Sequence, residues 1–136
     1  MHDVVINKVA TIKRCLVRIH EEYTDEETFK NSYTKQDSVI LNIQRACEAA
    51  IDVANHLIKE RHLGIPQSAR DSFELVARNK IITADTATKL KKMVGLRNIA
   101  VHDYQSLNID ILIAVINNHL TDFDEYCAQL VSHLTP

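Results

Sequence analysis

The sequence predicts an all-α fold, an up-and-down helical bundle of four main helices plus a short one. Three observations predict it. Only two glycines and two prolines occur among 136 residues, too few for the many tight turns of an all-β fold. Hydrophobic residues make up 46% and charged residues 25%, which is ordinary globular composition. Apolar residues also recur in long stripes at three- and four-residue spacing, the period of an amphipathic helix. The chain reads as a single domain over 1–136, with no internal repeat or low-complexity tract.

Val5, Val9, Ile12, Leu16, Ile19 and Tyr23 form the first stripe. They predict a helix over about 3–22 with Asp3 as N-cap. Residues 24–34 read as a connection with room for one helical turn. Val39, Ile43, Ala46, Ala50, Val53 and Leu57 predict a second helix over about 36–61, stopped by Gly64 and Pro66, with Gly64 as a left-handed cap. Ser68 to Asp71 resembles a capping box that opens a short helix carrying Phe73 and Val76. Thr83 caps the next helix, with Asp85 in its first turn. Asn108 caps the last, whose stripe runs from Ile109 to Leu134.

Several function classes drop out. No apolar run approaches the roughly 18–20 residues of a membrane span, and MHDVVINKVA lacks the basic-then-apolar order of a secretory signal. Cys15, Cys47 and Cys127 form no CxxC pair and read as buried, reduced thiols of a cytoplasmic protein. No phosphate-binding glycine loop and no nucleophile elbow is present. A di-iron bundle needs Glu-x-x-His, and no acid here precedes a histidine at that spacing. The sequence thus implies neither metal nor cofactor.

Charge is uneven. Residues 1–58 carry seven Lys/Arg and nine Asp/Glu, residues 59–97 nine and four, and residues 98–136 none and five. Lys89, Lys91, Lys92 and Arg97 form a local basic run. It reads either as a solvated helix face or as the segment that attracts nucleic acid. The acidic C-terminal third is a poor RNA surface and suits a basic partner.

One segment stands apart: Gly95-Leu-Arg97-Asn98-Ile-Ala-Val-His102-Asp-Tyr104. Arg, four residues, His, one residue, Tyr is expected by chance about 0.01 times at this composition. On a continuous helix Arg97 and His102 lie about 140° and about 7.5 Å apart. Asn98 and His102 share a face. The helix either runs through or ends near Gly95 or just after His102. An arginine binds phosphate in bidentate fashion and stabilises developing charge. A histidine takes a proton from a ribose 2′-OH or gives one to the leaving oxygen. Metal-free RNA cleavage needs both proton roles, which two copies in a symmetric dimer supply. The plain structural alternative is that Arg97 bonds helix-end carbonyls while His102 and Tyr104 pack.

At this motif the chain resembles the HEPN superfamily, specifically its HepT-like toxins, whose mark is Arg, a polar residue, a few variable residues and His, often extended to His-x-Tyr. Arg97, Asn98, His102 and Tyr104 fit without departure. The helical layout, Gln36 to Asn42 and the Gly-Leu-Arg-Asn entry at 95–98 also look typical. The resemblance implies a helical bundle that dimerises with both motifs facing one cleft, and a metal-independent endoribonuclease toxic to its own cell. It implies a nucleotidyltransferase antitoxin as partner, with no resident cofactor. Carried over residue by residue, Arg97 and His102 are catalytic, Asn98 orients His102 or substrate, and Tyr104 is where the partner attaches AMP. Lys92, from the basic run, is a further candidate for substrate contact. The alternative is a non-catalytic HEPN module that binds nucleotides or a partner through the same cleft.

Overall fold

The computed structural model describes residues 2–103 and 107–134. Its helices are α1 (His2–Glu22), α2 (Glu26–Lys30), α3 (Tyr33–Glu60), α4 (Ala69–Arg78), α5 (Ala84–His102), α6 (Ile109–Asn118) and α7 (Leu120–Leu134). The described residues contain no strand, so the all-α bundle holds. No described helix is long and apolar enough to cross a membrane.

The central helix is α3. Its 28 residues span about 42 Å. Ala46, Cys47, Ala50, Val53, Ala54 and Leu57 are buried along it, and these mostly small side chains let neighbours approach from several sides. It packs against α1, α2, α4 and α5. From α7, Tyr126 reaches across the core and donates its hydroxyl to the Ala50 carbonyl at 2.8 Å. Its ring meets Phe73 of α4 edge-on, with centroids 5.7 Å apart. Three helices are thereby tied to one point. The three cysteines are buried and free.

Most caps follow the sequence. Ser68, Thr83 and Asn108 accept from the backbone N–H groups of Asp71, Thr86 and Asp110 respectively. The Ser68 box differs in one respect. The Asp71 carboxylate accepts from the Gln67 N–H at 2.8 Å rather than from the cap residue itself.

Five boundaries differ from expectation. Asp3 lies in the first turn of α1, which begins at His2, and does not cap it. The 24–34 connection holds the helical turn it had room for, as α2 capped by Asp25, but Ser32 starts α3 three residues early. Gln36, buried at the junction, donates to the carbonyls of Phe29 and Lys30 at 2.9 and 3.1 Å. The left-handed residue after α3 is His62 (φ 55°), not Gly64. There Leu63 N–H bonds Ile58 O at 3.0 Å, which closes a Schellman motif. Lys80 (φ 60°) ends α4 in the same way. Finally, the stripe from Ile109 to Leu134 is broken at His119, giving α6 and α7. Asn117 and Asn118 are weak helix formers, and His119 leaves the helical region at φ −125° and ψ −2°. The break is short, so Ile116, Leu120 and Phe123 still face the core.

Candidate functional site

The site lies at the C-terminal end of α5. Thr83 starts this helix, and Leu90, Met93 and Val94 bury its inner face. The helix runs unbroken through Gly95 and ends just after His102, where the Asp103 N–H bonds Ile99 O at 2.9 Å. Of the outcomes open to sequence reasoning, the structure therefore takes the continuous helix that stops after the motif. Gly95 has a packing role. A Cβ there would lie 3.1 Å from Nη2 of Arg70, whose Nε reaches the Lys91 carbonyl at 3.4 Å.

Arg97 points inward from α5 towards α3. Its Nη1 lies 2.6 Å from Glu48 Oε1, and its side chain is 19% exposed against 46% for Glu48. With Ile43, Leu96, Ala100, Leu107 and Leu112, Arg97 lines a small apolar crevice. Among the described residues its Nε is buried without a hydrogen-bond partner. This is not the helix-end carbonyl arrangement. The guanidinium is anchored by a carboxylate and keeps N–H groups outside that pair.

His102 is exposed in the last turn, and Asn98, half-buried, lies one turn before it on the same stripe. Arg97 is rotated about 140° from that stripe. Arg97 thus emerges beside α3 while His102 stands at the helix end. Lys92 belongs elsewhere. With Lys89, Leu96 and Ile99 it lines a groove of about 440 Å³ against Ile111 and Val115 of α6. Tyr104, Gln105 and Ser106 lie outside the described residues.

The basic run is largely neutralised. Lys89 pairs with Asp85 and Glu125, each at 3.1 Å, and Lys91 with Glu74. Arg78 also meets Glu74. Helical spacing and packing bring acids to these cations, while Lys92, like Lys59, Arg70 and Lys80 elsewhere in 59–97, makes no ion pair among the described residues. The acidic C-terminal third is likewise answered within the chain. Lys13 meets Asp124 at 2.7 Å and Lys30 meets Asp110 at 3.2 Å.

Burial disfavours the thiolate form of the buried cysteines. Burial pushes Cys47 up to about 12, with Arg97 pulling down and Glu48 pushing up. Burial likewise raises Cys127 to about 11. His119 has an exposed side chain near Asp122 at 3.3 Å. His133 is half-buried beside Arg61, and burial lowers its pKa first, then the Arg61 charge. Among the described residues no group of three His, Cys, Asp or Glu side chains is placed to hold a metal ion. Glu48 is the site residue that sequence reasoning missed. Its one signal was an isolated acid inside the apolar stretch from Ala46 to Ala50.

The family model for Ribonuclease HepT-like proteins matches residues 12–130. The mRNA nuclease HepT of Shewanella oneidensis is 60% identical over 126 residues, which cover 93% of this chain and 95% of that protein. A tRNA nuclease HepT from Aphanizomenon flos-aquae is 24% identical over 108 residues, covering 79% of this chain and 74% of its own. Among solved structures, a tri-AMPylated Shewanella oneidensis HEPN toxin in complex with an MNT antitoxin superposes with a TM-score of 0.93. That toxin is 57% identical, and the match covers 97% of this chain and 99% of that one.

Proposed function

The chain belongs to the Ribonuclease HepT-like family, and from that premise we propose that it is the endoribonuclease toxin of a toxin–antitoxin pair, with Arg97 and His102 as its catalytic residues. The observation that carries the assignment is the end of α5: an exposed imidazole in the last turn, one and a half turns from a guanidinium held by Glu48. Messenger RNA is the substrate class favoured, since the 60% identical relative is an mRNA nuclease and the 24% identical one a tRNA nuclease.

The reaction is an internal transesterification. The 2′-oxygen attacks phosphorus as its proton passes to a neutral imidazole, and the 5′-oxygen leaves with a proton from an imidazolium. Arg97 binds the non-bridging oxygens, where charge builds up. Asn98, one turn before His102, orients the imidazole or the ribose. One chain supplies one motif histidine, so a homodimer that apposes two copies of α5 supplies base and acid together. The side chains at hand carry every proton, and no metal enters the scheme. The protein acts in the cytoplasm, where its substrate lies. A nucleotidyltransferase antitoxin silences it by adding AMP to Tyr104, two residues beyond His102, which sets phosphate and base where RNA must bind.

Expression in a cell tests the reading. Wild type arrests growth, and Arg97→Ala and His102→Ala each abolish arrest while keeping the wild-type helical content. Co-expression with the nucleotidyltransferase adds mass in AMP units at Tyr104, and Tyr104→Phe stays unmodified. Folded alanine variants that remain fully toxic would overturn the catalytic assignment. RNA binding without cleavage by wild type would favour the non-catalytic module. A strict monomer in sedimentation that still cleaves would overturn the shared cleft.

A further inference from the structure

The face made by α1, α3 and α5 carries a second group of cations. On α3, Leu41, Arg45, Glu48 and Asp52 follow one another at helical spacing. Arg45 therefore lies one turn from the carboxylate that holds Arg97. Alongside runs α1, where Lys8 meets Asp52 at 3.0 Å. The Lys8–Asp52 pair sets the register of α1 packed on α3, so that about seven residues onward along α1 and seven back along α3 Arg14 and Arg18 come alongside Arg45, around Cys15. Burial pushes that thiol up, and the three guanidiniums pull it down.

All three arginines are exposed. None makes an ion pair among the described residues. Lys8, Lys13, Lys30, Lys89 and Lys91 each meet a carboxylate, whereas Lys35, Lys59, Arg70, Lys80 and Lys92, like the three arginines, make no ion pair among the described residues. Glu21 and Glu22 follow Arg18 on α1 and make no ion pair with it, and Glu48 is engaged by Arg97. Arg14 and Arg18 stand at i and i+4, where like charges destabilise a helix. A twofold contact of this patch with its own copy would set arginine against arginine. A polyanion removes both costs, and the arginine fork matches phosphate oxygens.

We propose that Arg14, Arg18 and Arg45 form a binding surface for RNA phosphodiesters, which carries the strand onward from the phosphate at Arg97. The inference rests on the ribonuclease reading above. It adds to the electrostatic attraction of the 59–97 segment, where Lys59, Arg70, Lys80 and Lys92 make no ion pair among the described residues.

The test uses the His102→Ala chain and a fluorescein-labelled single-stranded RNA of about 20 nucleotides, with anisotropy read between 50 and 200 mM salt. Adding Arg14→Gln, Arg18→Gln and Arg45→Gln together raises Kd about tenfold or more at low salt. The slope of log K against log salt falls by about 2, since each single-strand phosphate contact contributes about 0.7. Arg45→Gln alone, the milder change if the triple variant folds poorly, lowers the slope by about 0.7. The triple Arg→Lys variant keeps the slope. In the chain with His102 intact, kcat/KM for the same RNA falls with the Gln triple. Unchanged affinity and slope, with wild type still cleaving RNA, would overturn the surface alone. Lost capture of the co-expressed antitoxin with RNA affinity intact would assign the face to that protein and overturn the proposal. A wild type that neither binds nor cleaves RNA would overturn the ribonuclease reading and this surface with it.

Discussion

Replacing Glu48 with Gln separates two effects of this carboxylate on Arg97. It anchors Nη1 at 2.6 Å, and it sets a negative charge beside the place where the proposed mechanism seats a phosphate. Gln keeps the shape and an acceptor but removes the charge. A phosphate oxygen on a free guanidinium N–H sits on the order of 6 Å from the carboxylate. Glu48 is 46% exposed, so the dielectric is close to that of water and the repulsion is roughly 0.7 kcal/mol, about threefold in affinity. The anchoring bond, no longer charge-assisted on both sides, drops to about half its strength. A reacting group displaced by an ångström loses up to about 10²-fold in rate. Steady-state cleavage of a labelled RNA at fixed ionic strength should therefore show KM about threefold lower and kcat about tenfold lower. The melting temperature should fall by about 3 °C or less. A raised KM with kcat unchanged would refute the reasoning, because Glu48 would then neither oppose the phosphate nor orient Arg97.

Three further outcomes follow from the core and its caps. Tyr126→Phe removes the buried bond to Ala50 O and costs about 1 kcal/mol, a drop of about 3 °C in melting temperature. No change would mean that the hydroxyl does not tie α7 to α3. Cys47 sits at about 12 in the folded chain against an ordinary 9.0. The unfolded thiol ionises first, so the folded state holds more protons between these values. Stability is full below about pH 9 and falls through that window by up to about 1.4 kcal/mol per pH unit from this group. Melting curves under reducing agent check the fall, and Cys47→Ala should shrink it; a rise in stability with pH would contradict the sign. Ser32→Ala removes the α3 cap at a cost of about 1 kcal/mol, readable in a urea melt.

Most of the fold was legible because it rests on local chemistry. Repeats such as Val39, Ile43, Ala46 and Ala50 fix a buried face without knowledge of the partner helix, and Ser68, Thr83 and Asn108 cap through their own side chains. The break at His119 was hidden because the apolar stripe runs through it. The left-handed His62 was hidden because Gly64 stood nearby with the better propensity. At the site, Arg97 and His102 were legible as a motif, and Asn98 as its neighbour one turn away. The Arg97–Glu48 pair was not, since 49 positions separate the two residues and only the packing of α5 on α3 joins them. The same holds for Arg14, Arg18 and Arg45, which come together across two helices. The basic run stayed open to two readings for the complementary reason. Its acids come partly from α4 and α7, so counting charge along the chain could not show them paired.

The central claim is that Arg97 and His102 cleave RNA with protein groups alone. Single-turnover cleavage of one RNA by purified wild type, Arg97→Ala and His102→Ala in excess EDTA, with product ends identified by mass, tests it most directly. The account predicts full wild-type activity under chelation and 2′,3′-cyclic phosphate ends. It predicts losses of about 10²-fold or more in each variant. Wild-type rates from a folded His102→Ala protein, or activity that EDTA abolishes and a divalent cation restores, would contradict it.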